Sequence, residues 1–204
     1  MIGVVDYGMG NLHSVEKALQ RLNASAIRLS DPNQVQSCEA LLLPGVGAFD
    51  PAMQKLNSTG WSQLLKEWSA AERPLLGICL GLQLLFESSA EGEEPGLALL
   101  PGRVEPLPPQ AQERCPHMGW APLTARQPSP LLIAEQQPWM YFVHSFAAIA
   151  TDQDTVTATA PYGDQAVVAA VGRRSLQATQ FHPCLLYTSP SPRDYAASRM
   201  PSSA

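Results

Sequence analysis

The chain has 204 residues, 45% of them apolar, and 13 Lys and Arg against 18 Asp and Glu give a net charge of −5. That length suits one domain, or at most two small ones, and can bury about 70% of the open chain's surface, so no disulfide or metal staple is required. The acidic balance argues against a nucleic-acid-binding face, and no apolar run approaches the roughly 20 residues that cross a bilayer.

The opening residues MIGVVD reach an acidic residue with no basic lead, which reads as a first strand and not a signal peptide; a cytoplasmic setting is expected. Residues 2–6 form that strand. After the Gly8-Met9-Gly10 loop, Leu12, Val15, Ala18, Leu19 and Leu22 recur at helical spacing, so 11–23 is predicted as a helix with one buried stripe. Residues 26–30 and 40–43 read as strands two and three, the latter ended by Pro44-Gly45-Val46-Gly47. Trp61, Leu64, Leu65, Trp68 and Ala71 mark a helix over 60–72, followed by a fourth strand over 74–78 and an apolar helical segment over 80–87. Alternating strands and helices of this kind build a largely parallel sheet. Residues 90–138, rich in Pro and Gly, are expected to be irregular surface crossings. Beyond them, 139–144, 155–160, 166–171 and 175–181 read as strands, the last two joined in a hairpin around Gly172-Arg173-Arg174.

The four cysteines, Cys38, Cys79, Cys115 and Cys184, show no CxxC pairing, so neither a zinc site nor a disulfide framework is expected. Cys79 stands apart because it centres Gly77-Ile78-Cys79-Leu80-Gly81, between an apolar strand and an apolar helical segment. A sharp strand-to-helix turn needs small neighbours and lifts the central side chain above the sheet edge, where a helix N-terminus and a nearby histidine would favour the thiolate. A small buried hydrophobe is the other reading of the same five residues.

A nucleophile needs a base, and the chain has four histidines, His13, His117, His144 and His182. His182 is preferred, because it follows a strand at the edge where ligands gather in parallel sheets. His144, also at a strand end, is second. His13 reads as a solvated helix residue and His117 as a structural residue in a Pro-flanked loop. The Leu80 amide and the Gly45-Val46-Gly47 loop are candidate donors to an oxyanion, although that loop alone reads equally as an ordinary turn.

GICLGLQLLFES, DYGMGNLHSV, LPGVGAF, GRV, PHMGW, YFVHSF and LQATQFHP, in this order, resemble the glutaminase subunits of imidazole glycerol phosphate synthase, which are class I glutamine amidotransferases of histidine biosynthesis. The resemblance covers residues 1–183 and implies a flavodoxin-like α/β domain: a mostly parallel central sheet flanked by helices, with an added antiparallel part. It implies hydrolysis of L-glutamine to glutamate and ammonia, without a cofactor or metal. Cys79 matches the nucleophile and His182 the base; Val46 and Leu80 match the positions whose amides form the oxyanion hole. Gly45, Gly47, Gln83, His144, Ser145 and Phe146 match the glutamine-holding surface. The implied partner is a (β/α)8-barrel synthase that receives the ammonia, and Met118 and Trp120 resemble residues facing it, although Trp120 reads equally as core.

The resemblance ends at Pro183. The family's motif continues into a glutamate that orients the histidine; here position 184 is Cys184, and 184–204 reads as a disordered or foreign tail. Weak glutaminase activity is therefore expected of this polypeptide, with a binding-only partner of the synthase as the alternative. Neither Glu105 nor Glu135 has support as a substitute carboxylate.

Overall fold

The structure, a computed structural model, describes residues 1–109, 113–132 and 137–183. β1 (Ile2–Val5), α1 (Leu12–Arg21), β2 (Ala26–Leu29) and β3 (Ala40–Gly45) open the chain, followed by α2 (Phe49–Ser58), α3 (Trp61–Ala70), β4 (Leu75–Cys79) and α4 (Leu80–Gln83). The middle carries β5 (Ser88–Ser89), β6 (Gly102–Pro106), β7 (His117–Pro122), β8 (Thr124–Ala125), β9 (Trp139–His144) and β10 (Phe146–Ala150). β11 (Val156–Tyr162), β12 (Gln165–Arg173) and β13 (Leu176–Thr179) complete the described elements.

The main sheet has the order β2-β1-β3-β4-β13-β12-β11-β8. Its first five strands are parallel and its last three join antiparallel. Counting β13 as the fifth parallel strand, the order is the 2-1-3-4-5 of flavodoxin-like sheets. The parallel strands alternate between two buried faces: Val5, Leu41, Leu43 and Leu75 pack with α2 and α3, whereas Val4, Leu42 and Ile78 pack with Leu12, Val15 and Leu19 of α1. Burial on both sides is why these strands are continuous apolar runs. Asn11 opens α1 as its N-cap, its side chain accepting from the Ser14 N–H at 3.3 Å.

Three expectations need correction. The helix expected over 80–87 is the single turn α4, because the carbonyls of Leu84, Leu85 and Phe86 are taken by the N–H groups of residues 97–100 at 2.8–3.1 Å, which draws the chain out of the helix. Residues 90–138 are not merely surface crossings: they hold β6 and β7 and bury Leu97, Leu100 and Val104. His117 lies on β7, not in a loop, stacked on Phe142 with ring centroids 5.0 Å apart. The strand over 139–144 and the β12–β13 hairpin stand where expected; α2, β5 and β10 had no counterpart among the predicted elements. Cys184 and the rest of the tail lie outside the described residues.

β5, β6 and β10 form a second sheet, and β7 and β9 pair as a two-stranded ribbon. The ribbon register sets His117 opposite His144 and Trp120 opposite Tyr141. Through it, a distant stretch of chain reaches the edge of the parallel sheet.

Candidate active site

β4 delivers Cys79 at its last residue with φ +58° and ψ −113°, a backbone setting that non-glycine residues rarely take. Its neighbours explain how so sharp a bend is tolerated. A Cβ on Gly81 would run into the Leu43 carbonyl oxygen, and one on Gly77 would lie 2.8 Å from the Gly81 oxygen. The elbow is thus pressed against β3, and Gly45 pairs with Cys79 across the sheet. With one turn of helix behind it, the elbow receives little of the dipole potential that the sequence suggested.

A cavity of about 360 Å³ opens above the elbow. It brings together Cys79, His182, Val46, Leu80, Gly47 and Gln83 with the His144, Ser145 and Phe146 segment. Gly45 is set back, lining a narrow crevice shared with Asn11 and His182. Met118 and Trp120 lie outside the cavity on β7, Met118 being 62% exposed and Trp120 meeting Tyr141 edge-on. His13 is exposed on α1, as expected. Among the described residues no group of His, Cys, Asp or Glu is arranged to hold a metal ion, and no helix is long and apolar enough to cross a membrane.

His182 follows β13, and its backbone N–H donates to the Tyr141 carbonyl at 3.2 Å, which ties it to β9. Burial holds its imidazole below the usual histidine pKa, so the ring is neutral near pH 7 and able to accept a proton. His144 Nδ1 lies 2.8 Å from the Phe146 carbonyl; because a carbonyl only accepts, Nδ1 carries the proton. Burial pushes the His144 pKa down to about 4, the Phe146 bond opposing this and the charges of His117 and His182 adding to it. Its Nε2 is buried without a hydrogen-bond partner.

Five contributors escaped the sequence reading. Glu91, the only acidic side chain among the described residues lining the cavity, accepts at 2.8 Å from the N–H of Phe49, so it also caps α2, whose own N-cap Ala48 offers no side-chain acceptor. Pro116 and Val143 line the opposite wall. Gln180 is fully buried beneath the cavity, its Nε2 3.8 Å from the Cys79 sulfur. Nothing local flags Gln180, since Ser175, Gln177 and Thr179 of the same stretch are also polar. The Tyr7 hydroxyl, by contrast, is buried without a partner, 3.0 Å from where a Gly45 Cβ would stand; burial first, and then the Cys79 charge, raise its pKa. Glu105, by contrast, pairs with Arg103 on β6 away from the cavity, and Glu135 lies outside the described residues.

A family model of class-I glutamine amidotransferases matches residues 3–191. The chain belongs to that family. Within the class-I glutamine amidotransferases it is 56% identical over 183 residues to imidazole glycerol phosphate synthase subunit HisH 2 of Parasynechococcus marenigrum, covering 89% of this chain and 86% of that one. It is 55% identical to the HisH subunit of a Synechococcus strain over the same shares of each chain. At that similarity the chain is a member of the HisH branch of the amidotransferases. A crystal structure of a glutamine amidotransferase superposes with a TM-score of 0.70 at 20% identity, covering 96% of this chain and 95% of that one, which shows the shared fold.

Proposed function

We propose that this amidotransferase hydrolyses L-glutamine to glutamate and ammonia and passes the ammonia to a (β/α)8-barrel synthase subunit. That subunit makes imidazole glycerol phosphate and aminoimidazole carboxamide ribotide in histidine biosynthesis, in the cytoplasm. The carrying observation is that Cys79, on a strained elbow, and His182, a buried and neutral imidazole, line one amino-acid-sized cavity.

In this reading the Cys79 S–H gives its proton to His182 and the sulfur adds to the side-chain carboxamide carbon. Charge then develops on the carboxamide oxygen, and the backbone N–H groups of Leu80 and Val46 are the donors offered to it. Collapse breaks the C–N bond, His182 returns the proton to the departing ammonia, and a thioester remains. Water, activated by the same imidazole, hydrolyses the thioester to glutamate and restores the thiol. Glu91 is the anion available for the α-ammonium of glutamine, and Gln83 with His144, Ser145 and Phe146 holds the remainder in place. Met118 and Trp120 contribute to the face that meets the synthase.

Membership of the HisH branch supports a catalytic subunit over a binding-only partner. Position 184 is Cys184 where the family's motif has a glutamate, so Cys184→Glu is expected to raise glutaminase turnover. The decisive assay measures ammonia release by the full chain with the synthase subunit present, against Cys79→Ala. Equal rates in the two would overturn the reading.

A further inference from the structure

We propose that Gln180 is a positioning residue for Cys79: its side-chain amide, clamped by Gln83, donates an N–H to the sulfur and stabilises its anionic form. The orientation of this amide follows from the hydrogen bonds around it. Gln83 Nε2 lies 3.0 Å from the Phe146 backbone oxygen, an acceptor only, so that end of Gln83 must be its NH₂ group. The same nitrogen lies 3.0 Å from Gln180, and the atom it donates to there is Oε1. The other end of the Gln180 amide, its NH₂, is therefore the end that faces the Cys79 sulfur at 3.8 Å. The Gln180 backbone is pinned as well, its N–H donating to the Ala169 carbonyl at 2.8 Å.

The burial of this amide is better compensated with an anion beside it. Gln180 is fully buried, and placing an amide in an apolar interior is costly unless its donors are used. A thiol is a weak acceptor and compensates little; a thiolate accepts a charge-assisted hydrogen bond of roughly twice the usual strength. The single-turn α4 supplies little positive potential at its start, so a donor to the sulfur adds to what the helix gives. In the transfer, the Cys79 proton moves to His182, the electron pair stays on sulfur, and Gln180 keeps both of its protons.

The proposal deepens the glutaminase reading and rests on Cys79 being its nucleophile, yet it can be tested without glutamine. The experiment is the pH dependence of Cys79 alkylation by iodoacetamide in the full chain, followed by mass spectrometry of the Cys79 peptide. Gln180→Met keeps the length and removes the donor; its alkylation midpoint is expected about one pH unit higher, which makes it about ten-fold slower below the midpoint. Gln180→Glu turns an acceptor toward the sulfur and is expected to shift further in the same direction. Should either variant fail to fold, Gln83→Leu releases the Gln180 carbonyl from above and is expected to shift the midpoint upward by a smaller amount. A wild-type profile in folded Gln180→Met, or in Gln83→Leu where the Gln180 variants do not fold, overturns the proposal. A shifted profile in a chain that releases no ammonia would keep the positioning role and remove the glutaminase reading instead.

Discussion

On one side of the cavity, Cys79 and Leu80 stand at the end of a parallel strand whose residues are buried on both faces; on the other, Val143 and His144 belong to the β7–β9 ribbon, with Pro116 just before it, and the ribbon leaves Met118 62% exposed. The nucleophile side has no spare volume, as the contact awaiting any Gly81 side chain makes plain. The ribbon side is held by fewer neighbours, chiefly the Phe142, Phe181 and Ala158 cluster and the Tyr141 carbonyl that receives the His182 N–H. The difference teaches that the reactive atom is fixed by sheet packing, whereas the walls that recognise substrate are set by a long-range pairing.

The largest expected effect tests which side carries the chemistry. Cys79→Ala should lower synthase-supported glutaminase activity from the wild-type chain's level to background, with little change in melting temperature, because no nucleophile remains. Retained activity would move the chemistry away from the rigid side. Next, Gly81→Ala should destabilise the chain by about 3 kcal/mol in urea titrations, because the added methyl meets a backbone oxygen that cannot step aside. Leu97→Ala, in the core behind the elbow with Phe49, Leu84 and Leu85, should cost a similar 2 to 4 kcal/mol, roughly the usual loss at a fully buried leucine. A negligible loss at Leu97 would mean that the core behind the elbow is looser than its packing implies.

Acid provides a gentler probe of the ribbon side. His144 is neutral in the fold with a pKa of about 4, while an unfolded histidine titrates near 6.5, so the unfolded chain binds the proton first as pH falls. Stability is therefore fully present above about pH 6.5 and is lost as pH drops toward 4, by on the order of 3 kcal/mol from this residue. His182 and His117, also held below the usual histidine pKa, act in the same direction. His144→Gln should flatten the unfolding free energy measured between pH 7 and pH 5; an unchanged slope would remove His144 as the source. Smallest of all, Met118→Ala should change stability by less than about 0.5 kcal/mol and reveal itself only as weakened binding to the synthase subunit in titration calorimetry.

The parallel half was legible because its information is local. Val4 with Val5 and Leu41 through Leu43 form short apolar runs, and Leu12, Val15 and Leu19 repeat at helical spacing, so both elements and their order follow from neighbours in sequence. The G-x-C-x-G elbow was legible for the same reason, and the cavity contains Cys79 and His182 as expected. The middle of the chain was not, because its order comes from partners far away. Val104 is buried by β10 packing, and His117 is a strand residue only because β9 lies beside it. Glu91 and Gln180 were missed on similar grounds: an acid in a polar loop gains meaning from the Phe49 N–H it meets, and a glutamine from the sulfur beneath which it folds.

The root of the middle segment has one further consequence. The carbonyls of Leu84, Leu85 and Phe86, a few residues beyond the elbow, accept from the N–H groups of Leu97, Ala98, Leu99 and Leu100. Opening that clasp would strip the turn that anchors Leu80 and Gly81, so native-state amide exchange at Leu97 and Leu99 should report the lifetime of the intact elbow. The chain cannot breathe at this seam without also loosening the support behind its sulfur.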